Sequence, residues 1–121
     1  MRMQGMTSMA TRFVVAAFAV VTAVAVTAPA VADETGLAGA LHTLKKQGKF
    51  LCMEDHFHYM TGNTVADKKK AIASAIDNWQ SFTAAEYGTD WAYFRKAGSK
   101  KITCNPGASG FSCSVEGRPC K

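Results

Sequence analysis

The chain reads as α+β, one main helix packed on a small antiparallel sheet and stapled by disulfides. Three features of its 121 residues lead there. Residues 64–87 hold one sustained helical period, and two short β-prone runs flank a turn cluster at residues 105–110. Four cysteines, Cys52, Cys104, Cys113 and Cys120, supply the third. An even cysteine count in so small a chain marks a disulfide framework wherever the compartment is oxidising, because a thin core gains most from covalent constraint.

The compartment follows from the first residues. Arg2 and Arg12 supply positive charge with no acidic residue before Asp33, and residues 13–26 form an apolar run broken only by Thr22. Pro29 ends any helix, and Ala30-Val31-Ala32 offers the small-x-small pattern of a signal peptidase site. A membrane span needs about 20 apolar residues, more than this run supplies, so no stable membrane anchor is expected after cleavage. The expected division is a removable signal over residues 1–32, a mobile arm or short helix over 33–48, and a small disulfide-linked α+β domain over 49–121. Such a product is exported, to the periplasm or the medium. Removing Arg2 and Arg12 leaves 12 of the 14 Lys+Arg against 9 Asp+Glu, so the net charge falls from +5 to +3.

Taken in order, Leu37, Leu41 and Leu44 stand at helical spacing, with Lys45, Lys46 and Lys49 behind them. Phe50-Leu51-Cys52-Met53 follows as a strand. Residues 54–59 crowd polar and aromatic side chains before the Thr61-Gly62-Asn63 turn. Thr64-Val65-Ala66-Asp67 resembles a capping box, and Ile72, Ile76, Trp79 and Thr83 recur at i+4, i+3 and i+4. The helix should end near Tyr87-Gly88, where glycine can take a left-handed cap. Residues 90–98 admit two readings. Trp91, Phe94 and Ala97 fit a short helix capped by Asp90, whereas the aromatic content and the Trp91/Tyr93 alternation favour a strand or an irregular aromatic segment leading to the Ile102 strand.

Four cysteines allow three pairings. Cys104–Cys113 with Cys52–Cys120 is favoured, because Asn105-Pro106-Gly107-Ala108-Ser109-Gly110 folds the flanking strands back with Cys104 and Cys113 opposed. The crossed arrangement, Cys104–Cys120 with Cys52–Cys113, stays open. The spacing contains no C-x-x-C pair, so a structural zinc is not expected.

The candidate chemistry lies in Asp55-His56-Phe57-His58. On an extended strand two imidazoles two residues apart project to one side, and Glu54 could orient or join them. A copper or zinc site can begin this way, since neutral imidazole is a borderline ligand. His42 is the only other histidine, and no complete ligand set is visible in the sequence. The leading expectation is therefore no metal and no cofactor, with a periplasmic copper/zinc-binding protein using His56 and His58 as the alternative. Cys52 beside His56 would suit a thiolate nucleophile, but disulfide pairing outranks it. No G-x-S-x-G, H-E-x-x-H, P-loop or Rossmann fingerprint occurs, so no enzyme is expected.

Lys68-Lys69-Lys70 reads as a solvated face. With Arg95, Lys96, Lys100 and Lys101 it offers attraction to an anionic envelope surface. Nucleic acid is not an expected partner outside the cytoplasm. Trp79, Phe82, Tyr87, Trp91, Tyr93 and Phe94 are too many for so small a domain to bury fully, and those left outside suit a sugar or protein ligand.

One resemblance adds to this. Asp55-His56-Phe57-His58-Tyr59, Trp79-x-x-Phe82, Glu86-Tyr87-Gly88-x-x-Trp91-Ala92 and Arg118-Pro119-Cys120, with Cys104 and Cys113, make the chain resemble a group of short exported proteins of proteobacteria. The resemblance implies export and disulfides and transfers no active site. The sequence thus points to an exported, non-enzymatic module, structural or ligand-binding, of the cell envelope or medium, with an envelope component or a protein as partner.

Overall fold

The computed structural model describes residues 30–121 together with residues 23 and 25. The expected signal over residues 1–32 lies, apart from those few positions, outside the described residues. The elements in order are α1 (Leu37–Leu41), β1 (Leu44–Gln47), β2 (Phe50–Met53), β3 (His58–Thr61), α2 (Lys68–Tyr87), two 3₁₀ turns (Thr89–Trp91 and Phe94–Lys96), β4 (Gly98–Gly107) and β5 (Gly110–Arg118). The class is α+β, and α2 is its main helix. The strands form two antiparallel sheets, β1-β2 and β3-β5-β4, where one was expected.

Helix α2 starts later than the capping-box pattern suggested. Asp67 is the cap, its carboxylate accepting from the Lys70 amide at 2.9 Å and placing negative charge beside the exposed Lys68, Lys69 and Lys70. Thr64 cannot begin the helix because Val65 is held in a β-bridge with Phe111. The buried stripe of α2 is Ala71, Ala75, Trp79, Thr83 and Tyr87, an i+4 repeat, with Ile72 and Ile76 half-buried on its flank. The small residues at the start of this stripe let the β-layer approach closely. A Cβ at Gly62, just after β3, would collide with the α2 backbone at Ala71 and Ala75.

The other end of α2 differs from expectation in a way that matters for the site. Gly88 has φ 102° and ψ 164°, an extended mirror-image conformation essentially confined to glycine, not the left-handed cap. A Cβ there would strike the Asp33 carbonyl. Residues 32–35 lie across the helix end: Thr35 N donates to Tyr87 O (3.1 Å), Thr35 Oγ1 to Glu86 O (2.8 Å), and Thr89 N to Ala32 O (3.0 Å). The segment expected as an arm or short helix holds a short helix of five residues, preceded by a strap and followed by the strand β1. Leu44 therefore belongs to a hairpin with β2, turned at Gly48 (φ 61°), rather than to a leucine stripe.

Residues 90–98 contain no strand until Gly98. Two short 3₁₀ turns carry the i+3 set Trp91, Phe94 and Ala97, all three buried together with Ala92. Strands β4 and β5 pair with Cys104 opposite Cys113, and the loop between them is only Ala108-Ser109. Pro106 is tolerated because β4 is an edge strand. The disulfides are Cys52–Cys120 and Cys104–Cys113, the pairing that strand geometry favoured.

The buried side chains divide into two clusters. Ala75, Trp79, Phe94, Ala97 and Val115 fill the space between α2 and the three-stranded sheet. Ala38, Met53, Tyr87 and Trp91 fill the space between the end of α2, α1 and the β1-β2 hairpin. No helix among the described residues is long and apolar enough to cross a membrane.

Candidate metal centre

Between these two cores the start of β3 meets the last turns of α2. His58 sits there with only 5% of its surface exposed. Its backbone carbonyl accepts from Trp79 Nε1 (3.1 Å) and its Nδ1 lies 2.8 Å from Thr83 Oγ1. Thr83 has a single hydroxyl hydrogen, and that hydrogen is donated to the Trp79 carbonyl at 2.7 Å. Thr83 can therefore only accept from His58, so Nδ1 carries the ring proton. In neutral imidazole the other nitrogen, Nε2, is then left with its lone pair.

That lone pair has no good neighbour. Nε2 lies 3.1 Å from Glu86 Oε2, close enough for an ion pair, yet off the direction a hydrogen bond requires, and it makes no aligned hydrogen bond. Burial first, and then the neighbouring His56, pull the His58 pKa down to about 4 against the opposing pull of Glu86, so the ring is neutral at pH 7. A buried lone pair and a carboxylate oxygen thus lie 3.1 Å apart without a hydrogen bond joining them, two donors that one cation can bind.

His56 completes the group. It lies in the bend before β3, its ring 4.8 Å from that of His58. The donor atoms of His56, His58 and Glu86 all fall within 4.8 Å of one another. Burial and the nearby His42 hold the His56 pKa below its usual value, with Glu86 opposing them, which favours the neutral ligating form. Beside them Tyr87 OH stands 2.7 Å from His42 Nε2 and 3.2 Å from His56 Nε2. Burial, then the adjacent Glu86, push the Tyr87 pKa up to about 12, so it stays a phenol and is not a phenolate ligand.

His56 and His58 were legible as a pair, and the fold brings them together. Glu54 does not join them: it pairs with Lys45 Nζ at 3.3 Å on the β1-β2 hairpin. The third donor is Glu86, which the sequence reading passed over except as part of a pattern. Helical spacing held the missing signal, since Glu86 and Tyr87 stand at i+3 and i+4 from Thr83 and so share its face. His42 comes from the loop after α1, a position no local pattern could indicate. Cys52 is bonded to Cys120 and is no nucleophile. Among the aromatics, Trp79, Tyr87, Trp91 and Phe94 are buried, whereas Phe82 and Tyr93 are exposed, as are Phe57 and Tyr59.

Two imidazoles and one carboxylate make a mixed nitrogen and oxygen donor set. Its chemistry suits Zn(II), Cu(II) and similar divalent ions, and it lacks the thiolate that would select soft ions because all four cysteines are in disulfides. No family model, curated protein or solved structure matches this chain.

Proposed function

We propose that this chain is a small exported, non-enzymatic binding protein that holds a divalent transition-metal ion through His58 Nε2, Glu86 and His56. The observation behind this reading is the buried Nε2 lone pair of His58, set against a carboxylate with no proton in line between them. Export is supported by the signal-like first 32 residues and by two disulfides, which persist in oxidising compartments. The disulfides also give the donors a fixed frame. Cys52–Cys120 anchors the strand that leads into the His56 bend, so little ordering remains to oppose binding. The exposed Phe82, its ring 4.8 Å from that of His58, offers a partner of the loaded protein an apolar contact beside the site.

Calorimetric titration of the oxidised protein with Zn(II) and with Cu(II) tests the reading. One ion per chain at micromolar affinity or better is expected, lost in His58→Ala and raising the melting temperature by linkage. Wild-type protein that binds neither ion, or a His58→Ala variant that binds as well as wild type, would refute it.

A further inference from the structure

The metal site explains His58, Glu86 and His56 but leaves His42 and Tyr87 without a role. Their arrangement is specific. One phenol hydroxyl stands between the Nε2 atoms of two histidines, at 2.7 Å from His42 and 3.2 Å from His56, and the two imidazole rings lie 4.3 Å apart. Tyr87 is 1% exposed, so water does not compete freely for its oxygen.

A phenol has one hydrogen to donate. When Tyr87 donates to one histidine, the other must donate its own N–H to the Tyr87 oxygen, so neutral His42 and His56 are forced into opposite tautomers. Two arrangements satisfy this rule. In the first, Tyr87 donates to His56 Nε2, and the ring proton of His56 sits on Nδ1. Both its nitrogens are then engaged or protonated, and it has no lone pair for a metal. In the second, His56 Nε2–H donates to Tyr87, which donates to His42 Nε2, and His56 Nδ1 is left with a free lone pair. The shorter of the two contacts is the one to His42.

Resting on the metal reading above, we propose that Tyr87 and His42 are positioning residues which set His56 to ligate through Nδ1, the chain running from His56 Nε2–H to Tyr87 and from Tyr87 O–H to His42. A metal-bound histidine characteristically donates its other ring N–H to a fixed partner. His58 meets that requirement through Nδ1–H and Thr83, and His56 meets it from the opposite ring edge through Nε2–H and Tyr87. The arrangement also joins the site to the segment of residues 32–42. His42 follows α1, whose approach is fixed by Thr35 on the carbonyls of Glu86 and Tyr87, so the strap of residues 32–35 and the metal ligands share the last turn of α2.

The test uses the full oxidised protein and Zn(II). Tyr87→Phe keeps the buried ring and removes only the hydroxyl. It should weaken Zn(II) binding about 10- to 100-fold, and His42→Ala, at a half-buried rim position, should weaken it in the same direction. Long-range ¹⁵N–¹H spectra of the histidine rings supply a readout that a merely structural role would not move. In Zn(II)-loaded wild type, His56 should carry its proton on Nε2, and in Tyr87→Phe that preference should be lost. If Zn(II) binds wild type and is abolished by His58→Ala, while both variants bind as wild type or His56 is metallated at Nε2, the metal reading stands and this inference falls. If wild type binds neither Zn(II) nor Cu(II), the metal reading fails and this inference falls with it.

Discussion

The β4-β5 hairpin and the junction of residues 32–35, β2 and residues 119–121 are built on opposite principles. In the first region the closing disulfide joins Cys104 to Cys113, nine residues apart, across a two-residue loop, and the strands pair with their immediate successor. In the second, Cys52 meets Cys120 across 68 residues, and residues 119–121 return to β2 through Leu51 and Met53. Glu34 meets Lys121 across 87. The β4-β5 pairing is local, although β5 also pairs with the distant β3. The second exists only once both ends of the described chain have arrived, and the candidate metal centre lies on the seam between the two.

The disulfides give the largest test of that contrast. In the chain-entropy account, constraint grows with the logarithm of loop length, so Cys52–Cys120 is worth about 4 kcal/mol and Cys104–Cys113 about 2.5 kcal/mol. Cys52→Ala with Cys120→Ala should therefore lower the melting temperature by roughly 10 °C more than Cys104→Ala with Cys113→Ala, at about 4–8 °C per kcal/mol for a domain of this size. Thermal unfolding of the two double variants measures the difference. Equal losses, or the reverse order, would mean that the two regions are not distinguished by contact range.

The same contrast decides what the sequence disclosed. Asn105 to Gly110 is a strong turn signal between two β-prone runs, and the Cys104–Cys113 register follows from it almost without further information. The stripe on α2 was legible to within one residue, since tryptophan and threonine marked the right face while Ile72 and Ile76 drew attention to its flank. Leu44 misled, because its spacing from Leu37 and Leu41 suits a helix while its partner Met53 lies on another strand. Residues 32–35 carry no local pattern either; their conformation is set by the carbonyls at the end of α2 and by the room that Gly88 leaves. At the candidate metal centre the nearby pair His56 and His58 was visible, and the distant Glu86, Tyr87 and His42 were not. A site assembled across a seam shows in the sequence only the part that one element contributes.

Thr83 links the two regions, and its removal sharpens the comparison at an intermediate scale. Thr83→Val keeps the shape and deletes the hydroxyl that accepts from His58 Nδ1–H and donates to the Trp79 carbonyl. Leaving that buried N–H without a partner should cost about 1–2 kcal/mol. It also removes the acceptor that holds the ring proton on Nδ1, so Zn(II) affinity should fall together with stability. Denaturant unfolding and zinc titration of the one variant check both. A variant that loses stability but binds zinc as tightly as before would break the proposed dependence of the site on the His58 tautomer.

The smallest expected effect lies farthest into the long-range region. Glu34 accepts from Trp91 Nε1 at 2.8 Å and from Lys121 Nζ at 2.6 Å, and hydrogen bonding to Lys121 first, then to Trp91, holds its carboxyl below the usual value of 4.5. Because the unfolded chain takes up this proton before the folded one does, the contribution is fully present above pH 4.5 and is lost as pH falls through the lowered value in the fold. About a third of the side chain is exposed, so solvent screens the pair and Glu34→Gln should cost no more than about 1 kcal/mol at pH 7. Glutamine retains an oxygen for Trp91 and removes the charge that holds Lys121. Unfolding of wild type and variant measured in parallel from pH 7 to pH 3 isolates the effect, because the acid sensitivity contributed by His58 is common to both chains and cancels in their difference. That difference should shrink towards zero in acid. A gap that stays constant across the range would show that Glu34 acts through shape and packing, and residues 119–121 would then be held by the Cys52–Cys120 bond and the backbone pairing around it.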